Sequence, residues 1–171
     1  MFRLTIRTVL VLVFTCLMIS TNSFSQGDQA ETNTLKGLKG IGVGVEDIDA
    51  DAVADGLKKQ YLVKIITQNL KKSGVKVLTD QEVGTIAGQP KLVLSINSTK
   101  QPGPIYIFTA TLDFNQVVML QRSPGLTAVS PTWTVLTTGG ALPEDLSTSV
   151  QAALDPMLDS FIADYRKANP K

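Results

Sequence analysis

The chain reads as an α+β protein, a two-layer sandwich in which a four- to five-stranded mixed sheet carries two long helices on one face. Three observations predict this. Leu57 to Leu70 and Leu146 to Tyr165 each carry an apolar stripe at helical spacing. Ile105 to Phe114 alternates with large apolar side chains kept to one face. Turn residues cut the rest into short strands, giving the order β-α-β-(short α)-β-β-β-α. Two helical stripes and one apolar sheet face are hidden together most simply if both helices lie on that face.

The amino terminus comes first in the chain and stands apart from this fold. Met1-Phe2-Arg3-Leu4-Thr5-Ile6-Arg7 is cationic, Thr8 to Ile19 is apolar, and Ser20 to Ser25 is small and polar. That is the layout of a secretory signal peptide over residues 1–25, with Ser23 and Ser25 preceding a cut between Ser25 and Gln26. An apolar run of about a dozen residues is too short to cross a hydrocarbon core that needs about 20. Cys16 has Phe14-Thr15 before it and Leu17-Met18-Ile19 after it, which does not suit lipid attachment. The expected location is therefore periplasmic or extracellular, with membrane contact only through the signal before cleavage.

Removing residues 1–25 leaves 146 residues, enough for one domain with a real core. Of 16 basic groups, Arg3 and Arg7 leave with the signal, so the mature chain keeps 14 against 15 acids. A near-neutral surface gives no electrostatic footprint for nucleic acid. Cys16 is the only cysteine, so the mature chain has no disulfide. Histidine is absent altogether. That excludes Ser-His-Asp and Cys-His catalysis, and zinc sites built on histidine or cysteine. No cofactor is expected.

Gln26 to Thr34 is polar and without period, and reads as a flexible tether ahead of a single domain over residues 35–169. Gly40 to Val45 alternates Ile41, Val43 and Val45 with three glycines, a strand whose bare face lets a neighbour approach closely. It fails the G-x-G-x-x-G fingerprint, because Val45 and Asp47 occupy the positions where the last glycine would fall. Glu46 to Asp55 is rich in acids, yet a calcium loop begun at Asp47 has Ala52 and Lys58 where glycine and glutamate are required. These acids are instead expected at the start of a helix, where the dipole favours them.

That helix is predicted from Asp51 to Ser73, with Leu57, Tyr61, Leu62, Ile65, Ile66 and Leu70 as its stripe and Gly74 as its stop. Val75 to Leu78 is a short strand, and Thr79-Asp80-Gln81-Glu82 has capping-box form for a short helix. Leu92, Leu94 and Ile96 mark the next strand. Ile105 to Leu120 follows, with Tyr106, Phe108, Ala110, Leu112 and Phe114 inward. Thr132 to Thr138 is the last strand, ended by Gly139-Gly140. Pro143 opens the terminal helix, whose stripe is Leu146, Val150, Leu154, Met157, Phe161 and Tyr165, with Pro156 predicting a kink.

Gly40 to Val45, Gly74-Val75-Lys76-Val77-Leu78, and Asp159 to Tyr165 followed by Asn169-Pro170 together resemble a family of small exported bacterial proteins of unassigned function. In topology alone, the chain is also similar to envelope accessory domains. Examples are the N-terminal domain of the Tol-system translocation protein and the penicillin-binding-protein activator lipoproteins. Neither resemblance implies a catalytic residue.

The leading expectation is an exported, non-catalytic binding or accessory module of the cell envelope that engages another protein. One alternative is a small-ligand or lipid carrier using a gap near Tyr106, Phe114 and Trp133. Another is a hydrolase built on Glu46, Asp47 or Asp113.

Overall fold

The computed structural model describes residues 29–103 and 105–170. The export segment, Cys16 and the Ser25–Gln26 junction lie outside them. The described chain forms helix α1 (Gln29–Thr34), strand β1 (Ile41–Val45), helices α2 (Ala50–Ala54) and α3 (Lys59–Lys72), strand β2 (Val77–Leu78) and helix α4 (Asp80–Thr85). Strands β3 (Lys91–Gln101), β4 (Ile105–Met119) and β5 (Thr127–Ala141) come next. A 3-10 turn at Pro143–Asp145 then leads into helix α5 (Leu146–Ala168). The five strands make one mixed sheet in the order β2-β1-β3-β4-β5. Strand β1 is parallel to both β2 and β3, and β3-β4-β5 is an antiparallel meander.

One face of this sheet is the core. Leu92, Leu94 and Ile96 of β3 join Tyr106, Phe108, Ala110, Leu112 and Phe114 of β4 there, all buried as the alternation predicts. Helix α3 covers the β1 end with Leu62, Ile65, Ile66 and Leu70, and α5 covers β4 and β5 with Leu146, Val150, Leu154, Met157 and Phe161. Pro156 lies within the unbroken span of α5.

The helix expected over Asp51–Ser73 is two helices. Gly56 (φ +96°) takes the left-handed conformation after α2, as Gly74 (φ +81°) does after α3. Both close with the same pair of backbone bonds. Gly56 N–H donates to the Val53 carbonyl (3.1 Å) and Leu57 N–H to Ala52 (2.9 Å). Gly74 N–H likewise donates to Lys71 (3.0 Å) and Val75 N–H to Leu70 (3.0 Å). In each case the residue after glycine is apolar and fully buried against the helix it ends. Tyr61, expected in the apolar stripe, is exposed at its margin. Its hydroxyl lies at the surface and donates to Gln151 Oε1 of α5 (2.8 Å), tying the two long helices together.

Two further expectations are corrected. The part of the tether at Gln29–Thr34 is helical, and Thr32 is fully buried against α5 and β5. Only one residue of that short helix faces inward, so the sequence shows no period. Contacts must hold so short a helix: Asn169 donates to the Leu35 carbonyl (2.9 Å) and accepts from Gly37 N–H (2.8 Å). Strand β5 also outruns its expected span at both ends. Pro131 sits at a bulge, where Asn115 pairs with Pro131 and Phe114 with Trp133, leaving Thr132 extra. Gly139 continues the strand because the Phe108 ring lies over it, and a Cβ there would stand 2.5 Å from the ring.

The opposite face of the sheet carries α4, whose Val83 lies over Gly42 of β1. Helix α4 begins with the capping box read from the sequence: Glu82 N–H donates to Thr79 Oγ1 (3.3 Å), and Thr79 N–H to Glu82 Oε2 (2.8 Å). Thr79→Ala is expected to destabilise by about 1 kcal/mol, the usual worth of a lost N-cap. An unchanged urea midpoint would show that the cap does not hold α4.

Candidate functional site

In the acid-rich segment 46–55, three of the five carboxylates, Asp47, Asp49 and Asp55, are held by partners on other elements. Asp47 pairs with Lys59 at the start of α3 (2.8 Å), with both side chains open to water. Asp49 precedes α2 but caps nothing there. Its Oδ2 accepts instead from Ser98 N–H (3.0 Å) and Ser98 Oγ (2.8 Å) on β3. Asp55 lies at the carboxyl end of α2, contrary to the helix-start expectation, because the helix stops at Gly56. Its Oδ2 accepts from Lys100 Nζ (2.8 Å) and from the hydroxyl of Tyr106 (2.7 Å), whose ring is buried.

Asp49, Asp51, Ser98, Thr99, Lys100 and Tyr106 line an open groove of about 360 Å³. Lys100 Nζ stands 5.3 Å from the centre of the Tyr106 ring, within cation–π reach. The Lys100 hydrogen bond, helped by the Tyr106 hydroxyl, lowers the Asp55 carboxyl below its ordinary value. The Ser98 hydroxyl, then its N–H, lowers Asp49. Asp55 raises Lys100, and burial, then Asp55, raises the Tyr106 phenol. Asp49 and Asp55 thus favour the ionised carboxylate, and Lys100 and Tyr106 favour their protonated forms. The cluster latches α2 onto the β3–β4 hairpin.

A pH signature follows. A lowered carboxyl stabilises the fold above its unfolded value, near pH 4, and that stability is lost as pH falls through the folded value. A raised lysine or tyrosine stabilises below its unfolded value, near pH 10, and that stability is lost as pH rises through the folded value. Asp55→Asn should flatten both limbs of the urea midpoint plotted against pH. Limbs identical to wild type would mean that the latch contributes nothing to folding.

The other residues proposed from sequence are dispersed. Glu46 is exposed at the end of β1, and Asp113 accepts from Thr134 Oγ1 (2.8 Å) on the outer sheet face. No described contact brings Glu46, Asp47 and Asp113 onto a shared group. Among the described residues, no three Asp or Glu side chains converge where a metal ion could sit. The aromatic trio is core: Phe161 packs against Phe114 (5.6 Å between ring centres) and edge-on against Trp133 (5.1 Å).

Sequence reasoning missed Asp164. It is buried in α5, and its Oδ2 accepts from the Trp133 indole N–H (2.9 Å). Its position three residues beyond Phe161, on the core stripe, was the available signal. A second open groove, of about 320 Å³, lies on the outer face between α4 and β5. Val83, Val93, Val117 and Val129 line it beside the Asp80–Lys91 ion pair (2.9 Å).

The stretches behind the family resemblance have structural roles here. Gly42 lies under α4, Gly74 ends α3, Asp164 holds Trp133, and Asn169 ties α1 to α5. Among the described residues, no helix is long and apolar enough to cross a membrane. No family model and no curated protein matches the chain. A minor lipoprotein from Acinetobacter baumannii, known from a crystal structure, is similar over 74% of this chain and 82% of its own, at 10% identity and a TM-score of 0.24. A likeness that low carries neither fold nor function across, and the functional reading rests on the residues of this chain.

Proposed function

We propose that this chain is an exported, non-catalytic accessory module of the bacterial cell envelope that engages another protein. The observation that carries the reading is the outer face at the β4–β5 hairpin end. Met119 is 64% exposed there and Val129 71%, with Leu126 also exposed. Large apolar side chains grouped at one end of a sheet mark interaction surfaces more often than scattered ones do. The signal-like order of residues 1–25 supports export, and the absence of histidine with the engagement of Asp47, Asp49 and Asp55 supports a non-catalytic role.

Cross-linking in the envelope fraction of the source organism tests both parts. The expected result is a mature chain beginning at Gln26 and a partner captured by wild type but lost with Val129→Lys. A chain still beginning at Met1 would remove the export half. A partner held equally well by Val129→Lys would remove the surface. A lipid retained in native mass spectrometry, with no protein captured, would favour the carrier reading instead.

A further inference from the structure

The two edges of the sheet are built differently. At one edge β2 is only two residues long and follows Lys76, which blunts it against further pairing. At the other, β5 runs 15 residues, TAVSPTWTVLTTGGA, without a single charge. Natural edges of that length usually carry an inward lysine, a proline or a bulge. Here Pro131 and the bulge at Thr132 blunt one half only, and Thr34 Oγ1 donates to the Thr132 carbonyl there (3.2 Å). From Trp133 to Ala141, no backbone group bonds to anything but β4 among the described residues.

The outer face of that open half reads the same in both directions about Leu136, with Thr134 and Thr138 two residues to either side. We propose that β5 pairs antiparallel with β5 of a second copy of this chain, about a two-fold axis through Leu136. An antiparallel pair keeps opposed residues on the same face, so they must share parity, and a two-fold at Leu136 satisfies this. Leu136, exposed on the outer face, then lies opposite its own copy and loses water contact. Thr134 lies opposite Thr138 twice, a favoured cross-strand pair. A charge at any of these positions would oppose a neutral residue or itself, and none is present. This symmetry is what selects a second copy over an unrelated extended peptide. The pairing is independent of the accessory surface at Met119 and Val129, which lies at the other end of β5.

The test uses the mature chain from Gln26, which lacks Cys16, so that an engineered cysteine is the only thiol. Leu136→Cys should form a disulfide-linked dimer on mild oxidation, because directly opposed Cβ atoms lie about 4.5–5.5 Å apart. Thr134→Cys and Thr138→Cys should link to each other in a mixture, and each should link poorly to itself. Sedimentation of the wild type should show a dimer whose population rises with concentration. Leu136→Lys, which places two like charges at the axis, should weaken it at least about tenfold with an unchanged circular dichroism spectrum. A wild type that stays monomeric at about 100 µM would overturn the proposal. So would Leu136→Cys linking no faster than Val129→Cys, or a dimer that survives Leu136→Lys. A dimer broken instead by Ile107→Lys would place the contact on the sheet face rather than its edge.

Discussion

Trp133→Ala is expected to destabilise the fold by about 3–5 kcal/mol, a large part of the roughly 5–15 kcal/mol that a domain this size possesses. Two losses combine. The indole is fully buried, packs edge-on to Phe161 at 5.1 Å, and sits on β5 where α5 crosses it, so its removal leaves a cavity between sheet and helix. It also removes the donor to Asp164, only 9% exposed, leaving a carboxylate with no partner in an apolar wall. Trp133→Phe separates the two. It keeps most of the packing but still orphans Asp164, and should cost about 1–3 kcal/mol. Adding Asp164→Leu should then return much of that, because replacing both partners removes the uncompensated group. Urea melts of the three variants decide it. A Trp133→Phe variant as stable as wild type would show that Asp164 finds water or another donor, and that the indole bond is idle.

Gly42→Val should destabilise by about 1–3 kcal/mol, the usual cost of overpacking, even though valine is the better strand former. A Cβ at Gly42 would stand 2.6 Å from Val83 Cγ2 and 3.4 Å from Lys91 Cγ. Val83 cannot swing clear, because β-branched side chains in helices hold one rotamer. Helix α4 would have to lift, pulling on the Thr79 cap. Gly44 is the control on the same face. Its Cβ would meet the far end of Lys91 at 3.0 Å, a flexible methylene that can move aside. Gly44→Val should therefore fall well short of the Gly42→Val effect. A midpoint that rises with Gly42→Val would mean that α4 does not seat on β1.

What the sequence by itself determined is whatever short-range periodicity and local chemistry encode. The inward face of β4, the stripe of α5, the Thr79–Glu82 box and the Gly74 stop each depend on residues within a few positions of one another. Gly56 belonged to that class too. A glycine followed by a leucine carries the same signature as Gly74-Val75, but it was hidden inside an apolar period that continued on both sides. Only the tertiary structure decided the rest, because the partners lie far apart in the chain. Asp49 and Asp55 act through Ser98, Lys100 and Tyr106, 45 to 51 residues away. Helix α1 depends on Asn169 across more than 130 residues. Strand β5 runs through Gly139 because Phe108 of β4 fills the space a side chain would take, and a residue that reads as a stop when alone becomes a fit when paired. Charge and turn propensity are properties of a residue and its neighbours, whereas the use made of a buried acid or a bare glycine is set by what the fold brings against it.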